Sequence, residues 1–251
     1  YNTYLFDFDY TLADSSRGII QCFQNVLKQH GFTEISDYAI KRTIGKTLEE
    51  SFSILTGITD AAVLEGLRKE YVKQADVYMT ALTRLFPETL EVLTTLKQQG
   101  AKIGIISTKY RYRILELLDK VLPEQTIDII VGGEDVQKHK PSPEGLLLAM
   151  EKLNVSPEEV LYIGDSTTDA ATAQAGNTDF MGVLHGETTY EELSAYPHIG
   201  IYPDLCILIK ENKAENYNHS YNSGCYNLKP LYNILRCILF FRNFLSIRLT
   251  L

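Results

Sequence analysis

Tyr4-Leu5-Phe6-Asp7-Phe8-Asp9-Tyr10-Thr11-Leu12 is the stretch on which the fold turns. Tyr4-Leu5-Phe6 is apolar and ends in acidic residues. It reads as a strand buried on both faces that carries two carboxylates at its carboxyl end. Its partners have to come from further along the chain, and they begin after Phe86-Pro87. Lys102-Ile103-Gly104-Ile105-Ile106-Ser107, Ile127-Asp128-Ile129-Ile130-Val131, Val160-Leu161-Tyr162-Ile163 and a last stretch at about 178–184 all read as strands. Helical patterns at 87–99, 110–120, 143–153 and about 168–175 separate them, and Ser156-Pro157-Glu158-Glu159 carries a helix-start signature. Strands that alternate with helices and stay apolar throughout form a parallel α/β sheet. Such sheets bind ligands at the carboxyl ends of their strands.

Between the first strand and this alternation the pattern is helical only. Ile19, Ile20, Phe23, Val26 and Leu27 repeat at helical spacing up to Gly31. Further helical patterns cover 36–44, 46–55 and 60–83, the last with Val63, Leu64, Leu67, Tyr71, Val72 and Ala75 on one stripe. The expected organisation is a core of residues 1–14 and 86–210, a helical cap of residues 15–85, and an atypical tail of residues 211–251.

The chain has 251 residues, 45% hydrophobic and 22% charged, and a net charge of −8. That composition suits an ordinary globular protein rather than a disordered one. The acidic balance argues against nucleic acid and anionic membrane as partners. Cys22, Cys206, Cys225 and Cys237 form no CxxC pair. A reducing, cytoplasmic setting is therefore expected. Tyr1-Asn2-Thr3-Tyr4 has no basic, then apolar, leader pattern.

The tail differs from the rest. Residues 211–251 hold five basic residues and two acidic ones, so they run against the charge of the chain. Asn216, Asn218 and Asn222 alternate with Tyr217, Tyr221 and Tyr226, and an apolar run from Leu231 is broken by Arg236, Arg242 and Arg248. A central arginine costs roughly 2.5–3.5 kcal/mol in a spanning helix, which disfavours a transmembrane segment. The remaining readings are a membrane-surface segment and a stretch that is not a selected structural element. On the second, removal of 212–251 leaves activity intact.

The chemistry lies just past each strand. Asp7 and Asp9 follow the first, Ser107 and Thr108 the second, Lys140 the loop after the third, and Asp165 and Asp169 the fourth. Four carboxylates gathered on one edge repel unless a hard cation and a lysine neutralise them. An all-oxygen donor set points to Mg²⁺. Asp7 is then a candidate carboxylate nucleophile toward phosphorus, Asp9 a candidate acid/base, and Ser107 and Lys140 candidate grips on the phosphoryl group.

Asp7-Phe8-Asp9-Tyr10-Thr11 resembles the DxDxT motif of the haloacid dehalogenase-like (HAD) superfamily. Ser107, Lys140 and Gly164-Asp165-Ser166-Thr167-Thr168-Asp169 resemble its second, third and fourth motifs. The resemblance implies a Rossmann-like core with an inserted helical cap. It also implies a Mg²⁺-dependent phosphatase working through an aspartyl phosphate. Within the superfamily the chain is similar to the phosphoglycolate phosphatase and β-phosphoglucomutase branch. Carried onto this sequence, Asp7 is the nucleophile and Asp9 the acid/base. Asp7, the Asp9 carbonyl and Asp165 hold the metal, and Asp169 orients its surroundings or Lys140. Ser107 and Thr108 hold the phosphoryl group. Thr43, Gly45 and Lys46 are candidate cap residues for specificity. Tyr10 stands where the family usually has Gly, and Thr108 where Asn is frequent. The second acid, Asp9, argues for phosphoryl transfer over dehalogenation. Ser15-Ser16-Arg17-Gly18 lacks the histidine of the mutase branch, which favours hydrolysis. The expected substrate is a small phosphorylated metabolite with phosphoglycolate first, handled by a monomer or homodimer. Pyrophosphatase, mutase and non-catalytic binding protein are the alternatives.

Overall fold

The computed structural model describes residues 1–210, so every expectation on residues 211–251 lies outside the described residues. In chain order the elements are β1 (Thr3–Phe6), β2 (Ala13–Asp14), α1 (Ser16–Gln29), α2 (Asp37–Lys41), α3 (Leu48–Thr56) and α4 (Ala61–Leu82). They continue with β3 (Arg84–Leu85), α5 (Thr89–Gln98), β4 (Lys102–Ile106), α6 (Arg111–Val121), β5 (Ile129–Val131) and α7 (Glu144–Leu153). The last are β6 (Val160–Gly164), α8 (Thr167–Ala175), β7 (Asp179–Val183), α9 (Tyr190–Ser194), β8 (Gly200–Tyr202) and α10 (Ile207–Lys210).

Six strands form one parallel sheet in the order β5-β4-β1-β6-β7-β8. The alternation of side chains along each strand divides its residues between two helical layers. Phe6, Ile103, Ile105 and Ile163 pack on one face with Leu93 and Leu96 of α5 and Ile114 and Leu118 of α6. Leu5, Ile106, Tyr162 and Phe180 pack on the other with Leu146 of α7 and Ala170 of α8. With both faces covered, each strand must be apolar at every position, which is why the strands read as continuous runs. Each such side chain contributes about 1.5–3 kcal/mol on burial.

Register fixes the site. Phe6 lies beside Ile105 on one flank and Ile163 on the other. Asp7, Ser107 and Asp165 therefore leave the sheet within one residue of a common level.

The block α1–α4 has its own core. The rings of Phe23 and Phe52 lie 4.7 Å apart and those of Phe23 and Tyr71 4.8 Å apart, with Leu27, Ile40 and Leu67 around them. α2, α3 and α4 each start on a side-chain cap: Ser36 accepts from Ala39 N, Thr47 from Glu50 N, and Asp60 from Ala62 N and Val63 N. The block enters and leaves through β2 and β3, which pair antiparallel with each other, Ala13 against Leu85 and Asp14 against Arg84.

Some elements differ from the sequence reading. β5 starts at Ile129 rather than 127, because the Asp128 carboxylate takes the Ile103 amide and the Lys97 ammonium in place of a regular ladder. The Ser156 signature opens only a single 3₁₀ turn at Pro157–Glu159, since the next residues belong to β6. The ribbon β2–β3, α9 and the edge strand β8 were not expected. Among the described residues no helix is long and apolar enough to cross a membrane.

Candidate active site

The loop after β1 carries the two acids of the opening motif. Asp7 is 2% exposed and its amide donates to Ile163 O at 2.9 Å, so the backbone at this point is still tied to β6. Asp7 Oδ1 lies 2.8 Å from Lys140 Nζ. The same ammonium lies 2.6 Å from Asp169 Oδ1. Asp169 is fully buried and is fixed further by Tyr162 Oη at 3.1 Å and by Ser166 Oγ at 2.5 Å. Ser166 caps α8 and Asp169 answers its amide, so the cap of the helix also aims the acid. A Cβ on Gly164 would land on the Asp169 side chain, and so only glycine fits there. Asp165 is buried and accepts from Thr11 Oγ1 at 3.4 Å.

Asp7, Asp165 and Asp169 each offer an oxygen within 4.8 Å of the others. One lysine faces three carboxylates, and the charges show the imbalance. Burial pushes Asp7 up to about 7, Lys140 opposing the shift and Asp169 and Asp9 adding to it. Burial together with Asp169 and Asp7 pushes Asp165 well above the carboxylate range. Burial works against the charge on Lys140, but Asp169 and Asp7 outweigh it and hold the ammonium protonated. Asp7 Oδ2 is buried with no hydrogen-bond partner among the described residues. An orphaned carboxylate oxygen in an all-oxygen cluster with surplus negative charge fits a hard divalent cation such as Mg²⁺.

Asp9 stands apart from this cluster. Its carboxylate accepts a short hydrogen bond from Ser15 Oγ and lies 3.1 Å from Lys109 Nζ. Ser107 Oγ accepts from the Lys109 amide at 3.1 Å, which makes Ser107 and Lys109 one unit after β4. Thr108 Oγ1 donates to Gly45 O at 3.4 Å and so joins the core loop to the helical block. Gly45 has φ +94°, a conformation that disfavours any other residue. Thr43 is buried with its hydroxyl on Ile40 O, and Lys46 pairs with Glu50 at 2.8 Å. Thr43, Gly45 and Lys46 share a cavity with Asp9, Thr108 and Lys109.

The candidates of the core, Asp7, Asp9, Ser107, Thr108, Lys140, Asp165 and Asp169, lie past the strand ends, whereas Thr43, Gly45 and Lys46 belong to the helical block and face them across the cavity. Ser15, Lys109 and Tyr162 were not among them. Lys109 directly follows Ser107-Thr108, a position that could have drawn notice; nothing in the sequence marks Ser15 or Tyr162. Tyr10 takes φ +59°, and its ring is buried beside Gly186. His185 lies 2.9 Å from Glu88, stacks on Phe86 at 3.9 Å and approaches Thr11 O to 3.3 Å through Nδ1.

Residues 4–183 match the sequence profile described as haloacid dehalogenase-like hydrolase. The chain belongs to that family. It is a hydrolase of the phosphatase type. The HAD chain is 33% identical over 182 residues to pyrophosphatase PpaX of Bacillus pumilus, an alignment spanning 72% of this chain and 82% of that one. It is 30% identical to a phosphoglycolate phosphatase of Aquifex aeolicus over 72% of this chain and 84% of that one. The solved structure of a haloacid dehalogenase-like hydrolase from Bacteroides fragilis superposes with a TM-score of 0.82 and 64% identity, covering 83% of this HAD chain and 100% of that one.

Proposed function

We propose that the protein hydrolyses a small phosphate monoester through an aspartyl phosphate on Asp7, with Mg²⁺ as cofactor. The observation that carries this is the buried Asp7 carboxylate, with one oxygen on Lys140 and the other without a partner. Asp7, Asp165 and the Asp9 carbonyl would hold the metal, while Asp169 acts through Lys140. Bound Mg²⁺ supplies positive charge that keeps Asp7 ionised next to a phosphate and offsets the charge of the phosphoryl oxygens.

In the first step an Asp7 oxygen bonds to phosphorus as the bond to the leaving oxygen breaks, and Asp9 gives that oxygen a proton. In the second, water attacks the aspartyl phosphate, Asp9 takes its proton, and Asp7 and inorganic phosphate separate. Ser107 and the Thr108 backbone hold the phosphoryl group, and Lys140 screens its charge. Residues 15–85 act as a cap that excludes bulk water. The substrate class is a small phosphorylated metabolite, with phosphoglycolate first in line given the relatives. The protein would work as a monomer or homodimer in a reducing, cytoplasmic setting.

The test is phosphate release from phosphorylated metabolites and pyrophosphate, with and without Mg²⁺, by wild type and Asp7→Asn. Release that needs both Mg²⁺ and Asp7, with a phosphorylated peptide containing Asp7 after acid quench, is expected. Release undiminished in Asp7→Asn would overturn the scheme.

A further inference from the structure

Resting on the phosphatase reading, we infer that Lys109 selects the substrate. Its ammonium takes an anionic group, carboxylate or phosphate, carried by the leaving group.

The leaving group has to sit against Asp9 if Asp9 is to give it a proton. Asp9 lines a cavity of about 110 Å³ between the helical block and the core. Apolar residues such as Ile19, Phe23 and Met79 form much of its wall. The charged residues in the wall are Lys46, Lys109, Arg113 and Asp9, three cations against one carboxylate, in a chain whose net charge is −8. That local excess suits a leaving group with a negative charge of its own.

The three cations are not equally committed. Arg113 donates to Asp76, to Glu116 at 3.1 Å and to Tyr112 Oη at 2.8 Å, so its fork is taken up. Lys46 is 31% exposed and pairs with Glu50 at 2.8 Å, a contact weakened by water. Lys109 is 10% exposed, and Asp9 at 3.1 Å is its one ion-pair partner among the described residues. An ammonium carries three donors and can hold a second anion beside the first. Attraction between opposite charges is also stronger where water is scarce.

The backbone fixes Lys109 on both sides. Its amide donates to Ser107 Oγ at 3.1 Å, and its carbonyl accepts from Gly133 N at 3.1 Å. Its ammonium lies 5.9 Å from the centre of the Phe8 ring. The group that receives the anion is thus the group that holds the acid. An anion on Lys109 sets the leaving oxygen relative to Asp9, so recognition and proton transfer share one contact. The ammonium also offsets the repulsion between that anion and Asp9.

Phosphoglycolate and carbamoylmethyl phosphate are matched probes, since the second replaces the carboxylate with a neutral amide of the same shape. Wild type should favour phosphoglycolate at least tenfold by kcat/KM, the scale of one hydrogen bond to a charged group. Lys109→Met should bring the two esters within threefold of each other, and Lys109→Arg should restore part of the preference. Loss of the contact with Asp9 slows both esters alike and cancels in the ratio. Lys46→Met should keep the preference. Pyrophosphate, measured against the same amide ester, tells the two anions apart. A preference lost in Lys109→Met for phosphoglycolate alone assigns the site to carboxylate, and one lost for pyrophosphate alone assigns it to phosphate; each supports the inference. A preference that survives Lys109→Met, or that falls in Lys46→Met instead, would overturn it and leave the phosphatase reading standing. So would a wild type that turns over the amide ester as well as either anion. That ranking needs no variant, so poor folding of Lys109→Met does not shelter the idea. Release from none of the three, or release indifferent to Asp7→Asn, would overturn both readings together.

Discussion

Asp7→Asn should abolish turnover and yet make the metal-free protein more stable. Asp7 is carried from 3.8 to about 7 on folding, mainly by burial. Between those values the folded chain holds a proton that the unfolded chain has lost. The folded state therefore binds more protons, and stability falls as pH rises through the window. Above pH 7 the full cost applies. About three pKa units at 1.36 kcal/mol each gives about 4 kcal/mol as a ceiling. Asp165, pushed up in the same cluster, shares part of that strain, so about 2–4 kcal/mol is expected for removing the Asp7 charge. Asparagine mimics the protonated acid in shape and leaves Lys140 its contact with Asp169. At 2–4 °C per kcal/mol for a chain of this size, Tm should rise by roughly 5–15 °C at pH 8 in EDTA. At pH 4 the difference should nearly vanish, because wild type is then protonated too. Thermal melts of both proteins across pH 4–8, with and without Mg²⁺, provide the assay. Mg²⁺ should raise the wild-type Tm more than that of the variant and so close the gap. A variant that melts at or below wild type at pH 8 in EDTA would refute the reasoning, as would a gain that is independent of pH.

Further outcomes follow from neighbouring residues. Lys140→Met removes the cation that faces Asp7 and Asp169, and should cost about 3–5 kcal/mol at pH 8 by denaturant melt, with partial recovery at pH 5. Tyr10→Gly relieves a positive φ worth about 1–2 kcal/mol but deletes a buried ring worth about 3–5 kcal/mol, so burial wins and Tm should fall. Gly45→Ala meets no close atom, its nearest neighbour being Ser166 Oγ at 3.9 Å. Its cost should be the backbone strain alone, about 1–2 kcal/mol by urea melt. It should also raise KM, because Gly45 O receives Thr108.

The sheet was legible because burial on both faces leaves an apolar run no other place to go. The acids after β1 and β6 and the hydroxyls after β4 were legible because register carries strand ends to one edge. β8 escaped notice because Gly200–Tyr202 is three half-buried residues at the margin of the sheet, too short for any period. Ser156-Pro157-Glu158-Glu159 does form its reciprocal cap, yet the burial of Val160–Gly164 outweighs the local preference for a helix. Tyr71 was read correctly as one of a buried stripe. Periodicity assigns the face of a helix, however, and does not report what packs against it, here Phe23 and Phe52. Ser15 and Lys109 acquire meaning only once Asp9 is placed between them.

The paired strands Ala13–Asp14 and Arg84–Leu85 put the two ends of the helical block side by side, and Phe86 N adds a bond to Leu12 O at 3.1 Å. From the sheet's side, some seventy residues of chain amount to a hairpin turn. The entropy of closing such a detour grows only with the logarithm of its length, about 0.6 kcal/mol for each doubling. The detour can therefore lengthen, shorten or be rewritten at almost no cost to the register that aligns Asp7 with Ser107 and Asp165. On the function proposed above, chemistry and choice of substrate would be written in separate stretches of chain, and the ribbon of four residues would let the second change while the first stays fixed.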